Sequence, residues 1–146
     1  MPERTAKAQW EGTIREGGGS VALGSGAFEG PYSFKSRFGE GGPGSATNPE
    51  ELIGAAHAGC FTMALSLILT EGGTPPDQLN TDARVSIVQQ DEGPTIDRID
   101  LTTRGRVPGI DEDGFRKAAE AAKENCPVSK ALASVPEITL EAALES

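Results

Sequence analysis

Histidine, tryptophan and tyrosine each occur once in the 146 residues, and cysteine only twice. Two cysteines and one histidine cannot supply the four ligands of a Cys/His zinc site within one chain, so neither a metal nor a cofactor is expected. Basic residues are also scarce. Thirteen Lys and Arg face 22 Asp and Glu, a formal net charge of −9, and the resulting field repels phosphate backbones and anionic lipid headgroups. Nucleic acid and membrane surfaces are thereby set aside as partners. Large apolar residues are few as well: Leu, Ile, Val and Phe number 29 of 146, a fraction close to the border with disordered chains. A thin core with 19 Gly and 10 Pro gains from sharing buried surface with a second copy, so a homo-oligomer is expected. The length fits one domain, 1–146. Residues 1–20 hold only scattered hydrophobes, with no basic start followed by an apolar core, which points to the cytoplasm. Thiols are kept reduced there, so Cys60 and Cys126 read as free or catalytic and not as a permanent bridge.

Along the chain, the first third reads as a β-meander with strands Ala8–Arg15, Ser20–Leu23 and Tyr32–Phe38. The segment Gly39–Ala46 holds four glycines and a proline and reads as a mobile connector. A strong helix start follows, with Asn48 as N-cap, Pro49 at the first helical position and Glu51 placed to complete a capping box. From Leu52 to Thr70 no residue carries a formal charge, a run that just reaches membrane-spanning length. His57, Ser66, two threonines, two glycines and acidic flanks without Lys or Arg argue instead for a buried central helix ending at Gly72-Gly73. Such a helix needs cover on all sides, which again favours a partner subunit. Strands Ala83–Val88 and Ile96–Val107, an amphipathic helix Asp111–Asn125, a helical restart at Pro127 capped by Cys126, and a strand Ile138–Leu144 complete the reading. The fold class is α+β, with a mostly antiparallel sheet wrapped against a long central helix.

The chemistry concentrates on few side chains. Cys60 lies mid-helix, where burial alone raises a thiol pKa and leaves it inert unless a cation stands nearby; Arg37, flanked by Phe34 and Phe38, is the candidate. Cys126, at a helix N-cap, has the better local case for thiolate character. His57 precedes Cys60 by three residues and shares its helix face, but side chains parallel on one helix rarely meet along a hydrogen-bond direction. It reads as a core or interface histidine. Glu50 and Glu51 suit the helix dipole as first-turn acids, the glycine runs lack the Gly-Lys-Ser/Thr ending of a phosphate loop, and Trp10 and Tyr32 make no base-stacking platform.

Several stretches together carry a family likeness: Ala8-Gln9-Trp10-Glu11-Gly12, Ser36-Arg37-Phe38, the run from Thr47 to Phe61 (TNPEELIGAAHAGCF), Val107-Pro108-Gly109-Ile110 and Asn125-Cys126-Pro127-Val128-Ser129. On these residues the chain resembles, nearly end to end, the osmotically inducible protein C and organic hydroperoxide resistance family, and within it the osmotically inducible branch. The resemblance implies a cytoplasmic thiol peroxidase of oxidative and osmotic stress defence that reduces organic hydroperoxides. It implies an intertwined homodimer with long helices at its centre and sites at the subunit interface. By the family pattern Cys60 is the peroxidatic thiolate, Cys126 the resolving thiol, Arg37 the cation that activates Cys60, and Glu50 the carboxylate that orients Arg37. The reaction so implied runs through a Cys60 sulfenic acid to a Cys60–Cys126 disulfide, reopened by a dithiol reductant for which a lipoylated protein is the family's suggestion. No role for His57 comes with it.

Two rival readings are open at this point: a binding protein of the same fold that holds an apolar or acyl ligand at the dimer interface, and a Cys60/His57 hydrolase that needs no reductant.

Overall fold

The computed structural model describes residues 2–39 and 46–145. Ten elements follow one another: β1 (Ala6–Glu11), β2 (Gly18–Leu23), β3 (Glu29–Tyr32), α1 (Phe34–Phe38), α2 (Pro49–Glu71), β4 (Gln78–Gln90), β5 (Gly93–Arg106), α3 (Glu112–Asn125), α4 (Pro127–Ala131) and β6 (Glu137–Leu144). They fall into two compact units, Met1–Leu52 and Ile53–Ser146.

In the first unit β1, β2 and β3 form the antiparallel meander read from the sequence. The bounds of β1 and β3 differ most from expectation. β1 stops at Glu11 because Gly12 takes φ of +90°, a turn conformation that costs a glycine little. The expected strand Tyr32–Phe38 is a strand only as far as Tyr32, and Phe34–Phe38 is a helical turn. Its aromatic residues favour a strand, but Ser33 and Ser36 close a reciprocal cap in which each side chain accepts from the other's amide, at 3.1 and 2.8 Å. Local capping outweighs β propensity here. Gly19 lies opposite Trp10 in the register, and a Cβ there would stand 3.0 Å from both the Trp10 and Tyr32 rings. Its bare backbone lets those rings meet edge to face with centroids 5.4 Å apart. Most of the Gly39–Ala46 connector, residues 40–45, lies outside the described residues.

In the second unit β4, β5 and β6 form one sheet, β4 antiparallel to β5 and β5 parallel to β6, so the parallel pairing is confined to one edge. One sheet face supplies Ile99 and Leu101 to a core completed by Phe115, Ala119 and Ala122 of α3 and by Phe61, Leu65 and Leu69 of α2. Full burial of a Leu, Ile or Phe side chain contributes about 1.5–3 kcal/mol. Gly105 admits α3 to the sheet, since a Cβ there would lie 2.7 Å from the Phe115 ring. By length and composition α2 could cross a membrane, yet the stripe His57, Phe61, Leu65 and Leu69 is buried in this unit, as the reading of a core helix requires. The expected cover on every side is not supplied by this chain. Ala55, Ala56, Gly59, Met63 and Leu67 remain exposed, Met63 by 76%, because the apolar residues are too few to wrap the helix fully.

Candidate active site

Within the first unit, α1 carries Arg37 in its only full turn and α2 carries Glu50 in its first. Arg37 Nε donates to Glu50 Oε1 at 2.9 Å, so the pair named by the family pattern is made. Short-range chemistry fixes it. The Ser36 hydroxyl donates to the Thr47 carbonyl at 2.8 Å, and Asn48 Nδ2 donates to the Ser36 carbonyl at 3.0 Å, tying α1 to the start of α2. Asn48 caps α2 as expected, its Oδ1 accepting from the Glu51 amide at 2.8 Å. The second half of the expected capping box is not formed: Glu51 turns its carboxylate to the Thr47 hydroxyl instead, at 2.8 Å. Glu50 Oε2 is buried with no partner among the described residues. Beside Arg37 lies a cavity of about 230 Å³ lined by Trp10, Ile14, Tyr32, Ser33, Phe34, Arg37 and Phe38. Phe34 and Phe38 contact each other with centroids 5.0 Å apart, and the Arg37 guanidinium sits 5.2 Å over the Phe38 ring. The sequence reading missed this aromatic cluster because its members come from β1, the turn after it, β3 and α1.

Within the second unit the two cysteines come together, both reduced, Cys60 half-buried and Cys126 fully buried. Cys60 packs against the core cluster that contains Cys126, and each thiol shifts the other's pKa. Burial pushes the Cys60 thiol up, and the neighbouring Cys126 adds to that, while a hydrogen bond from the Val128 backbone opposes it. Cys126 is also pushed up by burial, but hydrogen bonds from Cys60, from the amide and hydroxyl of Ser129 and from the Val128 backbone outweigh it and bring its pKa down. Ser129 N–H reaches the sulfur at 3.5 Å. Of the two, Cys126 holds a negative charge more readily, as its N-cap position between α3 and α4 suggests. Cys60 is the more accessible.

His57 is fully buried, with Nε2 2.7 Å from Ser129 Oγ and Nδ1 without a partner among the described residues. Its neighbour is therefore Ser129, and the imidazole is not turned to Cys60 as a hydrolase base would be. Sequence reasoning placed His57 in the core and passed over Ser129, although its position three residues after a capping cysteine matches a first-turn cap. Burial lowers the pKa of His57 below its ordinary 6.5. The folded state then binds fewer protons than the unfolded chain as pH drops below about 6.5, so this group's contribution to stability is lost on acidification. We expect thermal unfolding scans from pH 7.5 to 5 to show a steeper fall in Tm for the native chain than for His57→Gln; parallel curves would contradict a neutral buried imidazole.

An α+β chain that holds two reduced thiols side by side, each influencing the other's pKa, falls in the class of thiol redox proteins. The chain belongs to the OsmC-like protein family, whose profile matches residues 42–141. It is 48% identical to the peroxiredoxin OsmC of Escherichia coli strain K12 over 144 residues, 98% of this chain and 97% of that protein. It is 31% identical to the organic hydroperoxide resistance protein of Xanthomonas axonopodis pv. citri over 101 residues, 68% of this chain and 69% of that one. In fold it is similar to the crystal structure of an organic hydroperoxide resistance protein from Elizabethkingia anophelis, with a TM-score of 0.73 at 24% identity, covering 97% of this chain and 96% of the other.

Proposed function

We propose that this chain is a thiol-dependent peroxidase that reduces organic hydroperoxides to alcohols, with Cys60 as the peroxidatic and Cys126 as the resolving thiol. The observation that carries this is the pair of reduced cysteines close enough to shift each other's pKa, in a chain so similar to a peroxiredoxin. Exposure supports these roles: an incoming peroxide meets the half-buried Cys60 before the fully buried Cys126. The Cys60 thiolate attacks one peroxide oxygen, the O–O bond breaks, the alkoxide takes a proton and leaves as alcohol, and Cys60 becomes a sulfenic acid. Cys126 then attacks the sulfenic sulfur, a disulfide forms and water leaves. A dithiol, for which a lipoylated protein is our candidate, reduces the disulfide.

Arg37 supplies the positive charge that Cys60 lacks in its own surroundings, and Glu50 orients Arg37; these roles rest on the family pattern and on the 2.9 Å ion pair. The aromatic cavity beside Arg37 suits the organic part of the substrate. The exposed stripe of α2 from Ala55 to Leu67 suits a second copy, so we take the working form to be a cytoplasmic homodimer of single-domain subunits. A ligand-binding protein without turnover is disfavoured by the relatives, named peroxiredoxin and hydroperoxide resistance proteins.

Stopped-flow mixing of the reduced chain with cumene hydroperoxide and with hydrogen peroxide tests the reading. We expect one disulfide per chain, formed about 10- to 100-fold faster from the organic peroxide, the discrimination an apolar pocket provides. A rate with either peroxide no greater than that of free cysteine would overturn it.

A further inference from the structure

We propose that His57 is a positioning residue that fixes the Ser129 hydroxyl as a donor to Cys126, so that Cys126 is held ready as the attacking thiolate when the disulfide closes. The proposal rests on the peroxidase reading for its chemistry but on geometry for the hydrogen-bond chain itself.

Four side chains form the arrangement, and they come from the two elements on either side of the dithiol. His57 and Cys60 project from one face of α2, three residues apart. Cys126 and Ser129 begin α4, again three residues apart. His57 Nε2 and Ser129 Oγ stand 2.7 Å apart, and both residues are buried, at 0% and 8% exposure. The Ser129 amide also reaches Cys126 Sγ, at 3.5 Å.

The tautomer follows from what His57 Nδ1 lacks. Nδ1 is buried and has no partner among the described residues. A proton on Nδ1 would bury an N–H with nothing to accept it, whereas a proton on Nε2 is accepted by Ser129 Oγ. The ring is therefore neutral and protonated at Nε2, in keeping with a desolvated imidazole. Ser129 Oγ then accepts from His57 and has its single proton free for a second partner. The Cys126 sulfur, which the Ser129 amide already reaches at 3.5 Å, is the acceptor we assign to that proton. The chain runs in one direction, from Nε2–H to Oγ–H to Sγ, and the opposite tautomer would turn the hydroxyl away from the sulfur.

This polarity matters at one step. Once Cys60 is a sulfenic acid, an electron pair of Cys126 Sγ forms the S–S bond, the S–O bond of Cys60 breaks, and hydroxide leaves. The proton that Cys126 gave up balances that hydroxide as water, so no further reactant enters. A Cys126 that keeps its proton attacks slowly, and Cys60 is left open to a second peroxide and to sulfinic acid. The titratable groups that face Cys126 are Cys60 from α2 and, through Ser129, His57.

His57 is the only histidine in the chain, so its two ring nitrogens give one unambiguous pair of signals. A ¹⁵N–¹H correlation spectrum of the reduced native protein is expected to show the Nε2–H tautomer at pH 7; the Nδ1–H tautomer or an imidazolium would overturn the proposal without any variant. Thiolate absorbance of Cys126 is then titrated in a Cys60→Ser background. Ser129→Ala and His57→Leu are each expected to raise its pKa by about one to two units, the loss of a hydrogen bond to a charged group. His57→Gln, with an amide N–H at the position of Nε2, is expected to recover most of that shift. A rise with Ser129→Ala but none with His57→Leu would mean that His57 only fills space, and would also overturn the proposal. Should His57→Leu not fold, the contrast of Ser129→Ala with Ser129→Thr and the tautomer carry the test. With cumene hydroperoxide, His57→Leu is expected to close the disulfide at least about tenfold more slowly and to accumulate sulfinic Cys60. If no form of the protein reduces peroxide while the tautomer and titrations come out as stated, the peroxidase reading fails and the hydrogen-bond chain stands.

Discussion

Cys60→Ser is expected to reduce peroxide turnover by more than about 10³-fold, and Cys126→Ser to complete one turnover and then stop with Cys60 as sulfinic acid. The asymmetry has a structural cause. Cys126 has the lower pKa of the two, so a ranking by acidity alone would make it the first nucleophile. It is also fully buried, however, whereas Cys60 is half-buried. An alkyl or aryl hydroperoxide cannot bring its O–O bond in line with a sulfur that solvent does not reach, so the thiol that the Cys60→Ser chain keeps is one it cannot use. In Cys126→Ser the first attack needs nothing that is missing, but the sulfenic sulfur has no thiolate to close with. A hydroxyl does not replace one. Excess peroxide then carries Cys60 up the oxidation ladder, an outcome that no reductant of disulfides reverses. Intact-mass spectrometry after one and after ten equivalents of cumene hydroperoxide separates the cases: unmodified protein for Cys60→Ser, and one then two added oxygens for Cys126→Ser. Full turnover by Cys60→Ser would reverse the assignment of the two thiols.

The parts of this site that the sequence made legible are those in which a local rule coincides with the tertiary outcome. Asn48-Pro49 opens α2 and Cys126-Pro127 opens α4 because caps and prolines act within one turn. Cys60, Cys126 and Arg37 stand out as candidates on the residues alone, but their union in one site, and the role of Glu50, come only with the family resemblance, since nothing in a lone arginine 23 residues before a cysteine announces a partnership. Where two local signals competed, the reading failed: Phe34 and Phe38 favour a strand, and the Ser33/Ser36 cap turned them into a helix. Where the information is purely tertiary, as in Trp10 meeting Tyr32 above Gly19, or His57 meeting Ser129 across 72 residues, no window along the chain contains it. The long apolar helix shows a third case. Its composition predicts burial on all sides, yet one chain buries only one stripe of it, from His57 to Leu69, and leaves the face of Met63 and Leu67 exposed.

Arg37→Gln is expected to slow the reaction of Cys60 with cumene hydroperoxide by about 10²–10³-fold, the usual effect of removing one preorganised group that stabilises developing negative charge. Cys60 needs such help, because burial and the adjacent Cys126 both raise its pKa and only a backbone hydrogen bond opposes them. Arg37 is suited to give it. Its Nε is engaged by Glu50, while its two terminal nitrogens donate to no side chain or carbonyl among the described residues and remain available for an anion. Arg37→Lys keeps the charge but loses the planar fork, since one ammonium cannot hold Glu50 and also present two parallel donors; we expect it to recover less than a tenth of the lost rate. Glu50→Gln leaves the guanidinium in place with a weaker anchor and is expected to cost about tenfold. Thiolate absorbance in a Cys126→Ser background gives the matching equilibrium measurement: Arg37→Gln should raise the Cys60 pKa, and Glu50→Gln should raise it less. A Cys60 that titrates and reacts within twofold of the native chain after Arg37→Gln would show that its charge is stabilised by something other than this arginine, and the Arg37–Glu50 pair would then be a device that holds α1 to the start of α2.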